Sequence, residues 1–234
     1  MVTERLTGQD ELQHSILSDR RILDHLQKGN IVIYPFSQDR LKTSSVDVTL
    51  GEWYFRPNND HGLKHYNPWS KDHVQRVFGE PKRAKTAEEE FGNELPDGLR
   101  PEDKVIITYP GQMLLCHTQE FIGGKNGVTT MMKARSSIGR SDVVVCKCAG
   151  WGDVGFYNRW TMEVTSGGFG MGLPEILIVG EPVAQIAFFE TGPTLGATYG
   201  ETGKYQTSSN LDEMIETWDP HQMLPRLWKD REEK

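Results

Sequence analysis

Apolar residues along this chain fall into short runs, and the spacing inside each run separates one helix from a series of strands. In SDRRILDHLQKGN (18–30), Ile22, Leu23 and Leu26 share a face at helical spacing. Ser18 offers an N-cap hydroxyl and Gly29 a C-terminal stop, which predicts one short helix. NIVIYPF reads as a strand stopped by Pro35. SSVDVTLGEWYFRP (44–57) alternates Val46, Val48 and Leu50, which predicts one half-buried strand with a bulge at Gly51. From residue 104 onward come KVIITYP, QMLLCHTQEFI, GVTTMMKA, DVVVCKCA, RWTMEVTS, EILIVG and PVAQIAFFE, divided by turn residues. No helix alternates with them, so the spacing predicts a closed or sandwiched all-β body and disfavours a doubly wound α/β fold.

Two segments break this pattern. Residues 58–103 are polar and rich in Pro and Gly, too long for a plain loop, and read as an insertion or lid holding one short helix. Residues 207–234 include the partly amphipathic LDEMIETWDPHQMLPRLWKDREEK, read as a C-terminal arm with a short helix or an arm lying on a neighbour. The whole chain, 1–234, reads as a single domain.

Composition narrows the class. The chain has 234 residues, 36% hydrophobic and 25% charged, with a net charge of −7. That charge argues against a nucleic-acid binder, though a local basic cluster can still hold a small anion. No apolar run approaches the ~20 residues that cross a bilayer, and the polar start MVTERLTGQDELQ does not read as a secretory signal, so no membrane role and a cytoplasmic location are expected. The three cysteines, Cys116, Cys146 and Cys148, cannot all pair; Cys146 and Cys148, one residue apart in a predicted strand, would point the same way and read as free thiols.

Chemistry concentrates in two adjoining stretches. RSSIGR (135–140) sets Arg135 and Arg140 around Ser136, Ser137, Ile138 and Gly139. Guanidinium forks bind phosphate oxygens bidentately, and hydroxyls with exposed amides add donors, so the stretch reads as a polyphosphate cradle or as a bland surface turn. AGWGDVGFYNRWTMEV (149–164) puts Asp153 in a glycine-bounded turn and Glu163 inside an apolar strand. Period-2 alternation places Thr161, Glu163 and Thr165 on one face, with Trp160, Met162 and Val164 on the other. Glu163 therefore either lies on a solvated face or lines a pocket, where desolvation would raise its pKa and suit it to acid–base work. The His-x-Glu and Pro-Cys-x-x-Cys pair of the zinc nucleoside deaminases is missing, and CKC has the wrong spacing, so no zinc is expected. GGFGMG (167–172) follows a strand but opens no helix and reads as a hairpin turn rather than a dinucleotide loop.

These two stretches, continuous from Arg135 to Glu163, resemble the dCTP deaminase branch of the dUTPase superfamily: RSSIGR, CAGWGDVGF and TMEV stand for its Arg-Ser-Ser-x-x-Arg turn, its Asp-x-Gly-Phe turn and its glutamate strand. SVDVTLG (45–51), PVAQIAFFE and YGETGKYQ (199–206) resemble three further segments in the same order. The resemblance implies a mainly β, distorted β-barrel or jelly-roll-like fold, with a short N-terminal helix and the polar insertion, assembled as a homotrimer or a hexamer of two trimers with sites between subunits. It implies that Arg135, Ser136, Ser137, Ile138, Gly139 and Arg140 hold the triphosphate with Lys204 and Tyr205. Asp153 would bind the deoxyribose 3′-hydroxyl, and Gln185, Ala149, Thr161 and Met162 would lie around the base. Tyr199 would pack over the nucleotide. Glu163 would be the general base and acid for water attacking C4 of cytosine, with Ser136 and Arg140 orienting that water. Magnesium would accompany the triphosphate. The substrates implied are dCTP or dUTP, with dTTP as an inhibitor.

The chain departs from the family pattern in places. Tyr157 and Asn158 follow Phe156 where x-Gly is usual, Val154 replaces proline or alanine, and Thr207 and Ser208 replace a Gly-Gln pair. The main expectation is deamination of dCTP to dUTP and ammonia. The alternatives are a bifunctional enzyme giving dUMP and diphosphate, which Ala149-Gly150-Trp151 resembles, a plain dUTPase, or a catalytically silent nucleotide-binding regulator.

Overall fold

The computed structural model describes residues 16–232; the polar stretch read as not being a signal lies outside them. In chain order the elements are α1 (Asp19–Gln27), β1 (Ile31–Tyr34), β2 (Leu41–Lys42), β3 (Ser45–Thr49), β4 (Trp53–Tyr54), α2 (Lys71–Phe78), β5 (Lys82–Arg83), β6 (Lys85–Thr86) and α3 (Ala87–Phe91). Then follow β7 (Lys104–Thr108), β8 (Met113–Gly124), β9 (Val128–Ala134), α4 (Ser136–Arg140), β10 (Val143–Val144), β11 (Trp151–Gly152) and β12 (Tyr157–Ser166). The chain continues with β13 (Glu175–Ile178), β14 (Pro182–Glu190), α5 (Tyr199–Thr202), α6 (Leu211–Thr217) and α7 (Lys229–Glu232).

The fold is mainly β. A four-stranded sheet in the order β1-β8-β12-β10 faces a five-stranded sheet, β11-β9-β14-β3-β2, and two smaller sheets, β13-β7-β6 and β4-β5, flank them. Among the described residues the sheets stay open, so of the two expected forms, closed barrel or sandwich, the fold takes the sandwich. Alternate side chains of the two large sheets fill the space between them: Ile122, Met162 and Val164 from one side, Val46, Met132, Ile186 and Phe188 from the other. Met162, wholly buried there, cannot place its side chain in a ligand site.

Local expectations hold where a short-range rule decides. Ser18 caps α1 by accepting from the Arg21 amide at 3.4 Å, and Gly29 follows at φ 73°. Elsewhere packing overrides them. The predicted 44–57 strand splits into β3 and β4, and β3 is buried on both faces rather than half-buried. Gly51 marks the split because the His117 imidazole occupies the space where a Cβ would stand. RSSIGR forms the single-turn helix α4 rather than an open turn. DVVVCKCA keeps only Val143–Val144 as strand; Cys146 is buried and Cys148 exposed, so they do not point the same way. GGFGMG carries a 3-10 turn, Gly168–Gly170, between β12 and β13, which pair with different partners, so it closes no hairpin.

The insertion holds two helices instead of one. Its α2 buries Val74 and Phe78 beside Phe55, Leu115, Met223 and Leu224, so insertion and C-terminal arm meet over the outer face of the four-stranded sheet. The arm therefore lies on its own chain. That second layer explains why β8 is buried on both faces.

Candidate active site

The outer face of β12 carries Glu163 opposite Leu115 and Thr161 opposite His117, with a bulge between Arg159 and Thr161. At the bulge the Trp160 amide leaves the ladder and donates to Thr118 Oγ1 at 2.9 Å, while its indole N–H donates to the Ile122 carbonyl at 2.8 Å. Both readings of Glu163 meet here: its face does point away from the sandwich core, but the arm and the insertion roof it. The result is a cavity of about 470 Å³.

Its lining includes Ala149, Trp151, Gly152, Asp153, Phe156 and Tyr199. Asp153 heads a β-turn closed by the Phe156 amide on the Asp153 carbonyl at 3.0 Å, and Gly155 takes the φ of 95° that this turn requires. The Phe156 ring meets Tyr199 at 5.3 Å and Trp160 at 5.2 Å, both edge-on, which fixes it as a wall. Glu163 also lines the cavity. Its Oε2 is occluded from solvent and has no hydrogen-bond partner. Burial pushes its carboxyl up from the ordinary value, with its own backbone hydrogen bond and the Lys147 charge pulling partly back.

Tyr157 and Asn158, the departures from the family turn, hold the segment that leads into the arm. Asn158 Nδ2 donates to the Tyr205 carbonyl at 3.0 Å, and Gln206 Oε1 accepts from the Tyr157 amide at 3.0 Å. The Tyr205 hydroxyl accepts from the Arg226 amide at 3.0 Å. Lys204 ion-pairs with Asp230 at 2.7 Å and does not line the cavity.

The structure thus brings Glu163, Thr161, Asp153, Ala149, Tyr199 and Tyr205 together. Arg135, Ser136, Ser137, Ile138, Gly139, Arg140 and Gln185 do not line this cavity within the chain. Ser136, Ser137, Gly139 and Arg140 are exposed on α4. Arg135 Nε lies 3.5 Å from the buried Asp47 carboxylate, and Asp47 pairs in register with Gln185, which pairs with Lys133 on the other side. These residues form a separate polar strip on the five-stranded sheet.

Sequence reasoning missed Arg159, Trp218 and Gln222 as cavity residues. Arg159 had a usable signal, a charged residue two positions before Thr161 and four before Glu163 in one strand. Trp218 and Gln222 had none, since they reach the site only through the folding back of the arm. Among the described residues no group of three or more His, Cys, Asp or Glu stands close enough to hold a metal ion.

Fold and cavity together define a mainly antiparallel β protein with an aromatic-walled cavity whose lining includes the desolvated carboxyl of Glu163. The chain belongs to the dCTP deaminase-like family, whose model matches residues 16–191. It is similar to the dUMP-forming dCTP deaminase of Methanobrevibacter smithii, 29% identical over 175 residues, covering 74% of this chain and 79% of that protein. The dUMP-forming dCTP deaminase of Coprothermobacter proteolyticus is 29% identical over 191 residues, 82% of this chain and 90% of that protein. Among solved structures, the 2′-deoxycytidine 5′-triphosphate deaminase from Agrobacterium tumefaciens matches with a TM-score of 0.52 at 16% identity over 79% of this chain. The match spans 51% of that longer chain and speaks to the fold.

Proposed function

We propose that the protein deaminates dCTP hydrolytically, with Glu163 as general base and then acid. The observation that carries this reading is the desolvated Glu163 carboxyl, its Oε2 unpartnered, in the lining of a cavity that also holds Asp153 and the Phe156–Tyr199 wall. A carboxyl with a raised pKa takes a proton from water more readily than an ordinary one. As the water oxygen bonds to C4, Glu163 takes one water proton and passes it to the ring nitrogen; it then takes the remaining hydroxyl proton and passes it to the amine as the C4–N4 bond breaks and the C4 carbonyl forms, so that dUTP and ammonia leave. Asp153 receives the 3′-hydroxyl, and Tyr199 with Phe156 encloses the sugar.

The basic helix α4 lies apart from its own chain's cavity, so the reading is completed by a second copy. In a homotrimer, Arg135, Ser136, Ser137 and Arg140 of one protomer would meet the triphosphate in the cavity of the next, and Ser136 and Arg140 would orient the water. Magnesium would arrive on the phosphates and offset their charge. A second reading adds cleavage of the product to dUMP and diphosphate by water attack at phosphorus. It is favoured by the Ala149-Gly150-Trp151 loop at the cavity and by the names of the similar proteins. Incubation of the purified protein with dCTP and Mg²⁺, followed by chromatography of dUTP and dUMP and an ammonia assay, tests both. Ammonia release with dUTP supports deamination alone, and dUMP supports the second reading. Bound but unaltered dCTP would overturn both.

A further inference from the structure

Residues 199–206 carry two tyrosines of the cavity wall, Tyr199 and Tyr205. Three contacts from residues 154–158 hold this segment. The Tyr199 amide donates to the Val154 carbonyl at 2.9 Å, Asn158 Nδ2 to the Tyr205 carbonyl at 3.0 Å, and the Tyr157 amide to Gln206 Oε1 at 3.0 Å. The end of the arm supplies a second set. The Arg226 amide donates to the Tyr205 hydroxyl at 3.0 Å, Arg226 Nη1 donates to the Lys204 carbonyl at 3.0 Å, and Lys204 Nζ meets both Asp230 carboxylate oxygens, at 2.7 and 2.8 Å. The Arg226 guanidinium also stands 5.9 Å from the Tyr205 ring centre. Pro225, next to it in the chain, lines the cavity.

Within the segment, Gly203 links the two tyrosines. Its amide donates to the Tyr199 carbonyl at 2.7 Å, and the Tyr199 ring fills the space where a Cβ would stand. A shift at Lys204 and Tyr205 therefore moves Tyr199 as well. The arm's contacts are unequal in strength. Lys204 and Asp230 have side chains 26% and 56% exposed, and an ion pair in that setting contributes little by itself. The Arg226 bond to the Lys204 carbonyl is partly buried and has a charged donor, so it carries more. Arg226 and Asp230 both lie beyond the family-matched residues 16–191.

We infer that Arg226 is a positioning residue that holds Tyr205, and through Lys204 and Gly203 also Tyr199, as the wall of the substrate cavity, and that the Lys204 ammonium serves this strap with Asp230 rather than the phosphates. The inference rests on the proposed nucleotide reading for its effect on the reaction, while the strap itself is a property of the chain. Arg226 acts through the tyrosines, so its loss weakens the hold on dCTP more than it slows proton transfer at Glu163.

The test combines steady-state kinetics with dCTP and Mg²⁺ and hydrogen exchange of the 199–206 amides, both on the full-length protein. Arg226→Met should raise KM about tenfold, for loss of one charge-assisted hydrogen bond, and leave kcat within about twofold. The 199–206 amides should then exchange about tenfold faster while those of β12 keep their rate. Arg226→Lys, which can still donate to the Lys204 carbonyl, should recover most of the KM. Added to Tyr205→Ala, Arg226→Met should cost less than about twofold more, because the two act as one unit. Lys204→Asp and Asp230→Lys should each raise KM about threefold and together return it to within about twofold of the unaltered protein. Unchanged KM in Arg226→Met overturns the inference, and so does a full second loss on top of Tyr205→Ala. A charge-swapped pair that stays impaired overturns the assignment of Lys204 and places it at the phosphates. If the unaltered protein neither binds nor turns over dCTP, the proposed function falls, and hydrogen exchange alone decides the strap: an unchanged rate in Arg226→Met overturns it.

Discussion

The indole of Trp218 packs on the imidazole of His117 with 4.6 Å between ring centres, tying the C-terminal arm to the strand beside the one that bears Glu163. His117 is neutral in this arrangement. Its Nδ1 faces the Thr118 carbonyl at 2.8 Å and must carry the proton, while its Nε2 accepts from the Trp53 amide at 3.2 Å.

Acid should therefore loosen the molecule through His117. Burial is the main cause lowering its pKa from 6.5 to about 4, and the nearby Arg159 charge adds to it. Between those two values the unfolded chain binds the proton and the folded chain does not, so stability falls as pH falls from 6.5 toward 4. The His117 share of the loss should approach about 3 kcal/mol at the acid end. Urea denaturation across that window, compared with His117→Gln, measures it; parallel losses in the two proteins would show that His117 is not responsible.

Glu163→Gln should abolish ammonia release from dCTP while binding persists. In the unaltered enzyme the acid limb of kcat/KM should fall at a pH above the ordinary 4.5 of a glutamate, because burial raises the pKa and the active carboxylate is lost sooner on acidification. An acid limb at or below 4.5 would remove Glu163 from the role of base.

Arg140→Ala should lose both affinity and rate, since a bidentate phosphate contact goes. Because α4 and the Glu163 cavity are apart within one chain, two inactive variants should complement each other. Refolding Glu163→Gln with Arg140→Ala in equal amounts should restore about a quarter of the unaltered rate if copies mix at random around closed symmetry. No recovery from a demonstrably mixed assembly would place both residues in one protomer's site or in none.

Phe78, 5% exposed, packs edge-on against Phe55 at 6.3 Å and lines the cavity. Phe78→Ala should cost about 3–5 kcal/mol in chemical denaturation and raise KM for dCTP. A change within a few tenths of a kcal/mol would mean that the insertion does not hold the roof.

The glutamate strand and the Asp153 turn were legible because each is written in adjacent residues. The outer layer was not. Residues 58–103 are polar on average, yet Val74 and Phe78 sit one helical turn apart and bury together, a pattern too short to stand out from sequence. The Cys146–Cys148 strand failed for the opposite reason: its β-branched lead-in suggested a ladder, yet pairing with the Glu163 strand ends at Val143 and Val144.

By itself the sequence determined the α1 cap, the order of the strands, and which residue types follow each other from Arg135 to Glu163, since these depend on neighbours along the chain. Only the tertiary structure decided that the Glu163 face is roofed, that the sheets remain a sandwich, and that Arg159 and Gln222, 63 positions apart, share one space. Burial, pKa and unmet hydrogen bonds belong to whatever packs from elsewhere in the chain, and no local pattern specifies that.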